Sequence, residues 1–158
     1  MSILMKLKRE ELEEIGFYLK PYIQHPEVQR MKNYIAHGNI TVLQHAVKVA
    51  LIAYQLNKKY KLNADLKTLL AGALLHDFYG YDWHEKKLNF NVFQMHGFTH
   101  PTAAKDNAVK TFNISEEIQK VIVCHMWPLT LRSYPSSKEA KIVCIADKIC
   151  ATKETLHI

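Results

Sequence analysis

The chain has 158 residues, a formal net charge of +6 with histidine neutral, and 48% hydrophobic and 23% charged residues, which is ordinary for one soluble globular domain with a core of its own. No apolar run reaches the roughly 18 residues of a membrane span. Five glycines and five prolines are too few for a turn-rich all-β fold, and the lysines are spread without the block of like charge that would mark a nucleic-acid partner.

The opening "MSILMKLKREELEE" has a short apolar patch and then mixed charge, without a secretory h-region or a cleavage site. Cys124, Cys144 and Cys150 lie in apolar surroundings and form no CxxC pair, so they read as reduced thiols of a cytoplasmic protein. Histidine is in excess: nine are present, where average usage would give about three or four. Such an excess calls for a metal or for acid–base chemistry.

In chain order, residues 6–20 are charged and helical, with Leu7, Leu12, Ile15 and Leu19 as a narrow apolar stripe. "PEVQRMKNYIA" predicts a second helix from Pro26, broken by "HGN" at 37–39. Thr41 and Gln44 fit a capping box for a long helix whose stripe carries Val42, His45, Ala46, Val49, Ala53 and Leu56. Asn63 is the expected N-cap of "ADLKTLLAGALLHD". From Phe78 to Thr99 no helical period is visible, and about 20 irregular residues in a compact domain are more often functional than filler. Thr99 is then expected to cap a helix starting at His100-Pro101, Ser115 to open "EEIQKVIVCHM", and Ser136 with Glu139 to box the last helix, "AKIVCIADKICATKETL". The pattern predicts one all-α domain over 1–158, of six or seven helices, with N-terminal helices in 1–40 and a core in 41–155.

Five places break the apolar pattern with polar side chains: His45, the pair His76-Asp77, His100, His125 and Asp147. A buried carboxylate without a partner is costly. Asp147 finds none nearby, since Lys148 points roughly 100° away around the helix. Its partner must come from elsewhere in the fold, and histidines with a cation between them are the natural choice. Imidazole plus carboxylate without thiolate suits divalent iron, manganese or another first-row transition metal. His76 and Asp77 can reach one ion together only at a helix end, where the pattern indeed stops; alternatively Asp77 bridges two ions with its two oxygens.

The order His45, His76-Asp77, Asp147 resembles the H…HD…D signature of the HD-domain metal-dependent phosphohydrolase superfamily, over roughly Thr41 to Thr155. "HPTAAKDNA" around His100 and "VIVCHM" around His125 resemble the extra histidine sites of members that hold two metals. The resemblance implies an HD-domain-like helical bundle around the metal site. It implies a first ion on His45, His76, Asp77 and Asp147, and a second on His100 and His125 with Asp77 between. It also implies attack of a metal-activated water on a phosphate ester or anhydride of a small, nucleotide-like molecule.

Other candidates sit around this set. Asp82, in "FYGYDWHEKKLNF", could serve as acid or base, with His84 and Glu85 as further choices. His37 and Arg30 could contact a substrate phosphate, or form a turn and a solvated helix face. His96 could line the site or make a local turn, and Trp127 could wall the pocket. Many relatives carry Gly-Lys soon after HD; here Phe78-Tyr79-Gly80-Tyr81 stands there, which leaves the proton donor unassigned. Two other functions fit the same residues. One is a diiron oxygenase of the same fold. The other is a non-catalytic nucleotide-binding module, against which the intact ligand set argues.

Overall fold

The computed structural model describes residues 6–81 and 90–156, without the side chains of 90–97. Among the described residues there are seven α-helices: α1 (Arg9–Ile23), α2 (Pro26–Gln29), α3 (Val42–Lys59), α4 (Leu66–Leu75), α5 (Phe90–Phe112), α6 (Glu116–Cys124) and α7 (Lys138–Leu156). The all-α expectation holds. One small addition is a two-stranded antiparallel hairpin, β1 (Ile35–His37) and β2 (Ile40–Thr41), after a 3-10 turn at Arg30–Asn33. The "HGN" breaker is its turn, with Gly38 at φ 55°, a conformation glycine adopts without steric cost. The expected second helix is correspondingly cut to α2 and the 3-10 turn. No helix among the described residues is long and apolar enough to cross a membrane.

The centre of the bundle is α4. Every residue from Thr68 to Leu75 is buried, and the helix packs against α1, α3, α6 and α7. A helix apolar on all sides can only be a core element. Its cap is Asp65, whose carboxylate accepts from Thr68 N–H at 2.8 Å. Asn63 was the expected cap, but it takes φ 53°, and an N-cap needs extended backbone. Asp65 N–H in turn donates to Glu139 Oε1 at 2.8 Å, which ties the start of α4 to α7. Glu139 is thereby engaged away from Ser136, and Ser137 caps α7 instead, accepting from Ala140 N–H at 3.1 Å.

The capping box of α3 forms as expected: Gln44 N–H donates to Thr41 Oγ1 at 3.2 Å and Thr41 N–H to Gln44 Oε1 at 2.9 Å. Ser115 caps α6, accepting from Ile118 N–H. The reading of Phe78–Thr99 as irregular is corrected in its second half. Residues 90–99 are helical and continuous with the helix that was expected to begin at His100. Pro101 lies inside α5 and gives up one backbone hydrogen bond there without ending the helix. Asn, Gly, His and aromatic side chains are indifferent helix formers, so local propensity conceals a helix of this composition.

α4 and α6 touch where both are narrow. A Cβ on Gly72 would lie 2.5 Å from Val121 Cγ1, so a side chain there would force the helices apart. Gly72→Ala is expected to cost about 1–3 kcal/mol of stability through overpacking, read as a lower urea midpoint. An unchanged midpoint would mean that the two helices do not meet at this residue.

Candidate metal centre

Four imidazoles and two carboxylates converge at one end of the buried helices. His45 comes from the second turn of α3, Asp147 from the middle of α7, and His100 from α5. His76 and His125 are the C-cap residues of α4 and α6, both with helical backbone. Asp77 follows His76 directly. His45 Nε2 lies 3.0 Å from Asp147 Oδ1 and 3.9 Å from Asp77 Oδ2. His76 Nε2 lies 3.4 Å from Asp77 Oδ2 and 3.6 Å from Asp147 Oδ1. On the other side, His100 and His125 point Nε2 at Asp77 Oδ1, at 3.4 and 3.6 Å, and stand 2.8 Å from each other. The two oxygens of Asp77 are thus shared out between two histidine pairs.

The far nitrogens of the two helix-end histidines are engaged. His76 Nδ1–H donates to Ala73 O at 2.7 Å and His125 Nδ1–H to Ile122 O at 2.6 Å, each three residues back along its own helix. These two carbonyls belong to the last turns, where no backbone N–H is left to claim them. A proton on Nδ1 leaves the Nε2 lone pair facing the cluster, the tautomer a metal ligand needs. His76 Nε2 is buried and has no hydrogen-bond partner among the described residues. That orphaned atom, amid carboxylate oxygens and other imidazoles, fits a divalent transition metal. Among the described residues four overlapping sets could hold one: His45, His76 and Asp77; His76, His125 and Asp147; Asp77, His100 and His125; and His37, His45 and Glu154.

A family model for the HD domain matches residues 42–152, from the first residue of α3 into α7. The chain belongs to the HD-domain family. No curated protein and no solved structure matches the chain. HD domains bind divalent metals and are typical of metal-dependent hydrolases, in accord with the donor set of this one.

Charge in this HD domain is balanced internally. Burial works to lower the His76 pKa, but the charges of Asp77 and Asp147, 3.4 and 3.6 Å from Nε2, carry it up to about 10. His45 is also raised, burial being outweighed by its contacts with Asp147, Cys150 and Glu154. Burial would raise Asp77 and Asp147; instead His76 and His100 hold the first, and His45 and His76 the second, well below the carboxylate range. Burial and the neighbouring charges of His76 and His100 push His125 down to about 3.

His37, at the end of β1, sets its ring 5.2 Å from that of His45 and is half-buried, which with the His45 charge lowers its pKa. Arg30 lies elsewhere, paired with Glu27 at 3.1 Å. It lines a cavity of about 440 Å³ with Tyr34, Phe78, Gly80, Asn107 and Lys110. Trp127 turns its ring onto Tyr134, 5.6 Å away and edge-on. Asp82, His84 and Glu85 lie outside the described residues, as does the side chain of His96. Tyr79 is buried with its ring 5.7 Å from His100. One residue escaped the sequence reading altogether. Glu154, buried on α7, contacts His45 Nδ1 at 2.8 Å. Its spacing of seven from Asp147 puts both on one helix face, the signal that could have found it.

A cation can enter only as neutral imidazoles become available. At neutral pH the metal-free site keeps the proton of His76, so metal uptake is expected to release about one proton or more and to weaken as pH falls. Calorimetry in two buffers of different ionisation enthalpy measures this, and uptake without proton release would contradict it. The sign for folding is separate. A raised His76 stabilises the metal-free fold fully below its ordinary 6.5, and that share is lost as pH rises through about 10.

Proposed function

We propose that this HD domain is a two-ion phosphohydrolase acting on a phosphate ester or anhydride of a small, nucleotide-like molecule. His45, His76, Asp77 and Asp147 hold one ion, His100 and His125 hold the other, and Asp77 is shared. The observation that carries the reading is the division of the Asp77 oxygens between the two histidine pairs. Iron, manganese or another first-row metal suits the donors. When bound, such ions supply positive charge for phosphate oxygens and make a water acidic enough to act as nucleophile at neutral pH.

The side chains do the rest. The four imidazoles are fixed by packing and, for His45, His76 and His125, by hydrogen bonds donated from Nδ1–H, so little reorganisation accompanies the reaction. Asp77 and Asp147 each leave 13% of the side chain exposed, whereas no histidine of the cluster exceeds 6%. The carboxylate side is therefore the open side, where a phosphate would approach. His37 stands at that cluster's edge as a polar group able to contact a phosphate oxygen.

Elemental analysis of protein purified without chelator tests the assignment. Asp77→Ala is expected to lose essentially all metal, and His100→Ala about one of the two ions, since each removes ligands from a different share of the site. Undiminished metal in Asp77→Ala would sink the site assignment. Phosphate release from nucleotides, dinucleoside polyphosphates and simple phosphoesters by the manganese- or iron-loaded protein then tests the chemistry. Oxygen uptake without phosphate release would replace hydrolysis by oxygenation.

A further inference from the structure

Three stretches far apart in the chain meet around the cavity of about 440 Å³. The 3-10 turn and the residue after it give Arg30 and Tyr34, the segment after Asp77 gives Phe78 and Gly80, and α5 gives Asn107 and Lys110. No ligand of the candidate metal centre lines it. Its volume falls within the range of about 300–1,000 Å³ typical of sites for small molecules. Two long-range hydrogen bonds hold its walls together. Asn107 Nδ2–H donates to Phe78 O at 3.0 Å, and Tyr34 Oη–H to Gly80 O at 3.4 Å. Both acceptors belong to one short segment, which thereby ties the 3-10 turn to α5. Asn107 and Lys110, three residues apart, share a face of that helix. Phe78 is buried and Tyr34 half-buried, so the inner wall is aromatic. Arg30 and Lys110 are exposed and stand at the mouth.

The mouth already binds an anion of its own. Glu27 also lines the cavity, and Arg30 Nη1 lies 3.1 and 3.3 Å from its two oxygens. The two side chains are 59% and 50% exposed, and an ion pair so open to water contributes little. A guanidinium carries several donors in a planar fork, and it pairs more strongly with a phosphate, which offers more oxygens and more charge than a carboxylate. Arg30 and Lys110 line one cavity, so a phosphate there draws on two cations where Glu27 draws on Arg30. A cationic mouth over an aromatic wall suits a molecule that joins a phosphate to a flat ring. We propose that this cavity is a second ligand site, apart from the metal centre, for a small phosphorylated molecule. The phosphate rests on Arg30 and Lys110 and the ring on Tyr34 and Phe78, while Glu27 competes with the phosphate for Arg30. The site uses no metal ligand and stands independently of the two-ion reading.

Calorimetric titration of the metal-free full chain with adenosine monophosphate tests it, with adenosine and inorganic phosphate as comparison probes. The monophosphate is expected to bind saturably and more tightly than either of the others. Arg30→Gln and Lys110→Gln are each expected to weaken it about tenfold, the loss of one hydrogen bond to a charged group. Glu27→Gln keeps the size and removes the competing charge, so it is expected to tighten binding about two- to fivefold. A purely structural role for these residues gives no such tightening. All three side chains are exposed, and circular dichroism checks that the variants fold. Undiminished affinity in both Arg30→Gln and Lys110→Gln overturns the proposal, as does adenosine binding as tightly as its monophosphate. Inorganic phosphate binding as tightly as the monophosphate overturns the ring contact, and weaker binding by Glu27→Gln overturns the competition. Binding that appears only once manganese is restored assigns the phosphate to the metal centre and overturns the second site, and so does no saturable binding under either condition.

Discussion

A carboxylate at the end of a buried helix sets the terms for the rest of this molecule. Asp77 follows a helix whose residues are apolar almost throughout, and it cannot remain ionised there without positive partners. The positive partners are His76 beside it and histidines from three other places in the chain, each delivered by a helix. α3 brings His45, α5 brings His100 and α6 ends in His125, while α7 adds a second carboxylate, Asp147, to the cluster and Glu154 behind His45. His76 and His125 sit at helix C-termini, where the backbone dipoles favour a cation. The close contact at Gly72 and Val121 sets the spacing of these two helix ends. Core packing and site geometry are thus one constraint seen from two sides.

The same cluster explains how the fold tolerates so many ionisable groups before a metal arrives. Protonated His76 and His45 lie against Asp77 and Asp147, so positive charge is already present where an ion would sit. His125 stays neutral because burial, and then the neighbouring charges of His76 and His100, disfavour its positive form. Removing one member leaves its neighbours with uncompensated charge, which is more damaging than never having had the pair. Proton and metal therefore compete for one set of atoms.

Much of this was legible along the chain, and the residues show why. The Thr41–Gln44 box, the Ser115 cap and the apolar run of α4 are local matters, decided by neighbours within one or two helical turns. The polar residues interrupting apolar stripes were visible for the same reason: a buried charge advertises a partner. One error falls where a distant contact decided a local choice, and two others have local causes. Glu139 is drawn to the backbone of Asp65, so the α7 cap moves to Ser137. Asn63 enters a left-handed turn, and the cap of α4 moves to Asp65. Residues 90–99 join α5 although their composition shows no helical period.

By itself the sequence determined the helical class, the order of the elements and which side chains are too polar for their surroundings. Those properties depend on periodicity and on the cost of burying charge, both local to a segment. Only the tertiary structure decided which polar groups meet, that the Asp77 oxygens face two different histidine pairs, and that Glu154 stands behind His45. It also placed Arg30 on a separate cavity. Side-chain direction across helices far apart in the chain depends on crossing angles and packing distances, and no spacing in one dimension encodes them.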